Sequence, residues 1–302
     1  MSIRTVRALF TLWVIMTLVF VATRVSGDTI DFLLPEGTDP ASRQAMVAYL
    51  GLDRSMAEQY WIYLREFLSG HFGLSLYERR PVEDIYLERL GPSLALYALA
   101  LAFAVAVGLP LGILAALKRN TAVARFIMTA AFLGYAVPNF VLAILLLLVF
   151  SFHLGWLPSA GAGTSAHFVM PTLAVGAVLL AAVVRFTRSA LLDVLGQDYL
   201  RTARAKGVSE RSVVFRHALR NALIPILTVI GLQVTNVLGA AVIIETVFAW
   251  PGLGEQIVLA TIRRDYPTLQ FGVIGFAAIV VTVNLAVDLL YSVADPRVRV
   301  GA

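Results

Sequence analysis

Residues 198–207 read Asp198-Tyr199-Leu200-Arg201-Thr202-Ala203-Arg204-Ala205-Lys206-Gly207, and the chain runs on through Arg211, Arg216, His217 and Arg220 to Pro225. Every residue up to Lys206 is compatible with a helix. Asp198 stands at its start, where a carboxylate complements the helix dipole, and Lys206 at its end, where a cation does. Gly207 follows where a left-handed cap is wanted. Ser209 can then cap a second helix running toward Arg220. The stretch reads as helix, sharp glycine turn, helix, between strongly apolar blocks. Tyr199, Ala203 and Lys206 share one face of the first helix, and Leu200, Arg204 and Gly207 the neighbouring one. Such a segment looks built to be gripped by another protein at a membrane surface. The plainer alternative is a solvated basic face that touches anionic lipid headgroups. The ordered punctuation favours docking, since a mere charge patch needs no turn.

Composition supports the membrane. Of 302 residues, 59% are hydrophobic and only 14% charged, against about a quarter charged in soluble proteins. There are too few polar residues to cover a water-facing surface. The absence of cysteine excludes disulfides and thiolate metal sites, and no metal site is expected. A net charge of +5 could suit nucleic acid, but cytoplasmic loops of a membrane protein carry such an excess. No nucleic-acid partner is expected; the lipid bilayer is.

Six apolar blocks approach the ~20 residues of a spanning helix: about Leu9–Val25, Ser93–Leu117, Phe126–Phe152, Phe168–Phe186, Asn221–Ile244 and Phe271–Val293. The first resembles a signal peptide, with Arg4 and Arg7 before it and Val25-Ser26-Gly27 after it. Because further spans follow, we read it as an uncleaved helix. Basic residues then set the orientation. Arg4, Arg7, Lys118, Arg119, Arg125, the 198–220 stretch, Arg297 and Arg299 all fall on one side, while Ser151–His167 holds no Lys or Arg. Both termini are expected in the cytoplasm.

The segment between the first two blocks holds most of the acidic residues, Asp28, Asp31, Glu36, Asp39, Asp53 and Glu58 among them. Met56, Tyr60, Trp61, Leu64, Phe67 and Leu68 fall at helical spacing there, with Asp53 or Ser55 as cap and Gly70 as stop. We read a small outer helical subdomain with an apolar stripe against the membrane part, rather than a loose surface loop. Gly91-Pro92 marks the boundary before the second block. The expected division is an N-terminal helix (1–27), an outer subdomain (28–92), a permease domain (93–293) with the basic loop 187–220, and a tail (294–302).

The basic stretch resembles the cytoplasmic EAA loop of permease subunits of ATP-binding-cassette (ABC) importers, whose pattern is Glu-Ala-Ala, three residues, Gly, nine residues, Ile-x-Leu-Pro. Aligned on Gly207, the Glu position holds Arg201 and the Ala positions Thr202 and Ala203. The Ile-x-Leu-Pro positions fall on His217, Ala218, Leu219 and Arg220. The match is closer to the dipeptide/oligopeptide/nickel branch, where Tyr-x-Arg-Thr-Ala-Arg-Ala-Lys-Gly, followed by Arg-His-Ala-Leu-Arg-Asn-Ala, is the usual form. Leu50-Gly51-Leu52-Asp53, Val137-Pro138-Asn139-Phe140, Glu245-Thr246-Val247-Phe248, Trp250-Pro251-Gly252-Leu253-Gly254, Arg264-Asp265-Tyr266-Pro267 and Asp295-Pro296-Arg297 resemble that branch too. The long first outer loop is similar to its "B" permease rather than the "C" partner.

The resemblance implies an all-α membrane protein of type I importer permease fold in a bacterial inner membrane. It has six transmembrane helices and a small helical periplasmic insertion between the first two. It implies peptide import, with nickel chelates, glutathione or opines as alternative cargo. Partners would be a second homologous permease, two ATP-binding subunits and a periplasmic solute-binding protein. ATP and Mg would sit on the ATPases, and no cofactor in this chain. Residues Asp198, Tyr199, Arg201, Thr202, Ala203, Arg204, Ala205, Lys206 and Gly207 would form the coupling helix in an ATPase cleft. Independently, this chain has no Gly-x-x-x-x-Gly-Lys-[Ser/Thr] loop, so it lacks that phosphate cradle.

Polar residues inside spans usually face a cavity or a partner helix. Asn139, Gln233, Thr235, Asn236 and Asn284 are therefore candidates for the translocation pathway, or for helix-to-helix hydrogen bonds. Glu245, Trp250, Pro251 and Gly252 are candidates for an outer gate or binding-protein contact, or form a plain turn. An intramembrane enzyme is disfavoured: His71, His153, His167 and His217 all lie in loops or at span ends, without a catalytic motif. A secondary transporter would show repeated halves and acidic residues at the midplane, and neither is evident.

Overall fold

The computed structural model describes residues 2–25, 34, 38–49 and 51–294, with the backbone alone for 2–4, 49, 224, 232, 234–237, 241 and 288–294. Asp28, Asp31, Glu36, Arg297 and Arg299 lie outside the described residues, as do the side chains of Thr235 and Asn236. The protein is all-α; among the described residues the only strand-like pairing is an isolated bridge between Leu74 and Pro81. Four single helices are long and apolar enough to cross a membrane, and counting each of two bent pairs as one span raises this to six. These six segments contain or overlap the six apolar blocks of the sequence.

The chain divides into two compact units, Met1–Gly91 with Glu255–Val281, and Pro92–Gly254 with Thr282–Ala302. In the first, α1 (Ser2–Val25) is followed by α2 (Pro40–Tyr49) and α3 (Met56–Leu68). Ser55 begins α3 in a reciprocal capping box with Glu58, and its hydrogen bonds hold the Glu58 carboxyl below its usual range. The inward face of α3 is shifted from the expected stripe. Tyr60 and Tyr63 meet Phe20 at ring distances of 5.2 and 5.3 Å, whereas Met56, Trp61 and Leu68 are exposed. Gln59, the buried residue of this helix, lies on the inward row. Its Nε2 donates to the Arg54 carbonyl at 2.8 Å, and residues 59, 63 and 67 share that face.

A tight loop after Gly70 is held by buried Asp265, which accepts from Ser75 Oγ (2.5 Å), the Leu76 amide (3.1 Å) and Thr268 Oγ1 (2.8 Å). Arg89 pairs with Glu255 at 3.0 Å; burial, the larger influence, pushes the Glu255 carboxyl above its ordinary value.

Gly91-Pro92 marks the division between the two units, but it does not interrupt the helix. A single helix, α4 (Val82–Leu117), runs through both residues, with Glu83 and Asp84 in its first turn. An interior proline lacks one backbone donor, but the Pro92 carbonyl is itself engaged, accepting from Trp250 Nε1 at 3.2 Å. The third apolar block is likewise not one straight span. Helix α5 (Ala122–Ala136) and α6 (Asn139–Leu146), which continues through wider i→i+5 turns to His153, bend by 101° at their junction. Pro138 restricts Val137 to an extended backbone (φ −80°, ψ 123°), so the helix stops there.

The second unit is organised by α7 (Ser165–Leu195), whose buried residues run from Met170 to Leu191. Close approach depends on missing side chains: a Cβ on Gly112 would lie 2.6 Å from Thr187 Cβ, and one on Gly176 2.9 Å from Phe103. Beyond α7 come α8 (Asp198–Ala205), α9 (Glu210–Ser212), an i→i+5 stretch Val213–Ala218, and α10 (Leu219–Val247). The chain ends with α11 (Leu253–Ile262) and α12 (Tyr266–Ala294).

Candidate functional sites: a basic turn and a buried-carboxylate turn

Helix α8 is short, and its two faces differ completely. Leu200 is fully buried in a cluster with Ala116, Leu191, Val213, Ala218, Ala222 and Ile226, and Ala203 packs against that cluster. Tyr199, Arg201, Thr202, Arg204, Ala205 and Lys206 are exposed. One apolar contact row thus holds the helix down and leaves a basic face free. Gly207 has φ +80°, the left-handed region that closes α8, and a Cβ there would meet nothing within 4 Å. Its need for glycine is conformational, not steric.

Two polar links brace the turn. Arg204 forms a two-point pair with Glu210, Nε and Nη2 at 2.9 and 2.8 Å from the carboxylate oxygens. Asn221 Nδ2 donates to Tyr199 OH at 2.7 Å, tying α8 to α10. Arg201 lies 3.4 Å from Asp198, with both side chains exposed. Ser209 occupies the cap position before α9, but its side chain makes no capping hydrogen bond; the Ser209 carbonyl accepts from Val213 instead. Glu210 lies in the first turn and complements the dipole.

The second candidate is built inward. Glu245, at the end of α10, is fully buried. Its Oε1 accepts from Ser93 Oγ at 2.6 Å and Tyr97 OH at 2.9 Å, and its Oε2 from the Gly254 amide at 2.7 Å. Ser93 Oγ also receives the Leu253 amide at 2.8 Å. The Trp250 amide donates to the Glu245 carbonyl at 2.8 Å, and its buried ring meets Phe168 edge-on at 4.5 Å. A Cβ on Gly252 would overlap the Glu245 carboxylate, and one on Gly254 would lie 2.5 Å from Val242 Cα. Ala249 enters the turn at φ +44°. Glu245, Trp250 and Gly252 are all buried and Pro251 is half-buried, so what this turn offers a partner is its shape rather than these side chains.

Of the pathway candidates, Asn139 Nδ2 reaches the Ala240 carbonyl at 3.5 Å, a link from α6 to α10. Gln233 is half-buried and Asn284 exposed on this chain. Sequence reading missed the partners Ser93 and Tyr97, although their i,i+4 spacing on α4 was a signal for a shared face. Among the described residues no group of His, Asp and Glu could hold a metal.

A broken third span, a long central helix and a basic helix-turn beside it define a multi-span membrane permease. The fold is that of solved ABC importers. It matches the MetNI methionine ABC transporter in inward-facing form, with TM-score 0.60 and 18% identity over 70% of this chain and 97% of that one. It also matches an amino acid ABC transporter with histidines, with TM-score 0.54 and 18% identity over 71% and 94%. Residues 108–300 match the family described as binding-protein-dependent transport system inner membrane component, and the chain belongs to that family. It is 42% identical over 290 residues to the glutathione transport system permease protein GsiC of Escherichia coli strain K12, covering 96% of this chain and 95% of that one. The corresponding protein of Shigella boydii serotype 4 is 41% identical over the same shares.

Proposed function

We propose that this chain is one of two permease subunits of an ATP-driven importer for small peptides, glutathione included. The observation that carries the substrate class is the identity to a glutathione permease along nearly the full length of both chains. Peptides and glutathione, itself a tripeptide, share an extended backbone with charged ends. Nickel chelates and opines remain the alternatives within the same transporter class.

In this reading the basic turn faces the cytoplasm, as the distribution of Lys and Arg suggests, and both termini lie on that side. The exposed residues of Asp198–Gly207 sit in a cleft of one of two ATPase subunits, which hold ATP and Mg. The buried Leu200 row carries the movement into α7 and α10, because packed helices shift as bodies rather than deform. Asn139, Gln233, Thr235, Asn236 and Asn284 line or brace the pathway. The Glu245–Gly254 turn shapes the outer gate toward a periplasmic solute-binding protein. The permease domain proper is 93–293, with 1–27 and 28–92 as anchor and outer subdomain and 294–302 as tail.

The test is uptake. A strain lacking this chain should lose accumulation of labelled glutathione or alanyl peptides and regain it from a plasmid copy. Unchanged uptake of all of them, with loss of labelled nickel instead, would move the protein to the metal-chelate alternative.

A further inference from the structure

Within the first unit, the end of α1, α3 and the start of α12 enclose a cavity of about 450 Å³, inside the ~300–1,000 Å³ range of small-ligand sites. Its wall carries both signs of charge: Arg24 and Arg54, with Glu58 beside Arg54, and Glu66 facing His71 at 3.8 Å. Apolar rings complete it: Phe72 lies 5.0 Å from Phe67 and 4.7 Å from Phe271. Three buried polar atoms of this wall, Arg24 Nε, Gln59 Oε1 and Tyr63 OH, have no hydrogen-bond partner among the described residues. Gln59 is only 8% exposed. Its Nε2 donates to the Arg54 and Leu52 carbonyls, which fixes Oε1 as an acceptor.

We propose that this cavity binds a small zwitterion, its anionic group on Arg24 and Arg54 and its ammonium on Glu66. A simple anion would be opposed by Glu66, and a simple cation by the two arginines; only a ligand with both charges satisfies both. The rings of Phe67, Phe72 and Phe271 take its apolar body. Two sources supply this chemistry. One is a free peptide, which rests on the proposed substrate class. The other is a phosphoethanolamine lipid headgroup, which does not, and which Arg24 could reach because it closes the apolar helix α1.

The test uses the assembled transporter containing the full chain, without binding protein, in phosphatidylglycerol nanodiscs that offer no zwitterion. Trialanine is titrated in one arm. In the other, phosphatidylethanolamine is mixed in and its retention measured by native mass spectrometry. Saturable binding in either arm is expected and assigns the source. Arg24→Met should abolish it. Glu66→Ala removes the ammonium's partner and should weaken binding at least about tenfold. If Arg24→Met does not assemble, Glu66→Ala decides, since that side chain is half exposed and pairs only with an exposed His71 at 3.8 Å among the described residues. No binding in either arm, or binding unchanged in Glu66→Ala, overturns the proposal. Because occupancy is read without transport, a failure here is separate from a failure of the uptake experiment.

Discussion

The two glycine-marked turns of the second unit are opposites. At the basic turn, Gly207 stands in open space and only its left-handed backbone requires glycine. At the other, Gly252 and Gly254 are there because Glu245 and Val242 leave no room for a Cβ. The basic turn puts its charged residues outward and is held by a few contacts on Leu200. The carboxylate turn puts its charge inward and satisfies it with three donors from its own chain. A turn that buries its own polar groups is completed by the fold. Under the coupling proposal the exposed basic turn is completed by a partner, so stability and transport should separate between them.

Glu245 should give the largest effect. Glu245→Ala leaves Ser93 Oγ, Tyr97 OH and the Gly254 amide without their acceptor. Each orphaned buried donor costs about 1–3 kcal/mol, so three of them cost roughly 3–9 kcal/mol, enough to deplete folded protein. The check is the amount of monodisperse protein recovered in detergent, with its thermal midpoint. Wild-type yield and midpoint would show that the carboxylate does not hold this turn, and the contrast between the turns would collapse.

Gly207→Val should do the reverse: full assembly, little transport. A β-branched residue resists φ +80°, and the local penalty of about 1–2 kcal/mol falls on an exposed turn. We expect normal membrane levels, with peptide uptake and peptide-stimulated ATP hydrolysis falling to near background. Gly207→Asn, which tolerates the left-handed region, should keep much of the activity. Wild-type uptake by the valine variant would break the coupling assignment.

These differences also explain what could be read from the sequence. Asp198, Lys206 and Gly207 announced a helix and its stop because dipole and left-handed preferences are local. The apolar blocks announced the spans because lipid demands length and composition. The phase of α3 was not legible: six apolar residues allow several faces, and the buried row includes the polar Gln59, whose partners are carbonyls before the helix. The broken third block was visible in Val137-Pro138 but was outweighed by its continuous hydropathy. The Glu245 partners lie about 150 residues away in sequence, and such pairings follow from tertiary packing, which no local pattern encodes.

A charge exchange sharpens the basic turn itself. Arg204→Glu places like charges at the pair with Glu210, and adding Glu210→Arg restores opposite charges in reversed order. An exposed pair is worth less than about 1 kcal/mol, so neither variant should change folded yield. If the pair only braces the turn, the double variant should recover the uptake lost by the single one. If Arg204 itself meets an ATPase, the double variant should stay as impaired as the single one. Recovery would move the docking surface toward Arg201 and Lys206.

The smallest effect is expected at the link from α8 to α10. Tyr199→Phe removes the oxygen that accepts from Asn221 Nδ2, but Asn221 keeps its second bond, to the His217 carbonyl at 3.1 Å. Nothing buried is orphaned, so the cost should stay near or below about 1 kcal/mol and the thermal midpoint should barely move. Transport should nevertheless fall a few-fold, because this bond is the polar tie between the exposed face of the short helix and the long helix it is proposed to move. Asn221→Ala should give the same fall, and the two together no more than either alone, as expected when both remove one interaction. Additive losses would mean that each side chain has its own contact with a partner, and that the exposed face extends from α8 onto α10.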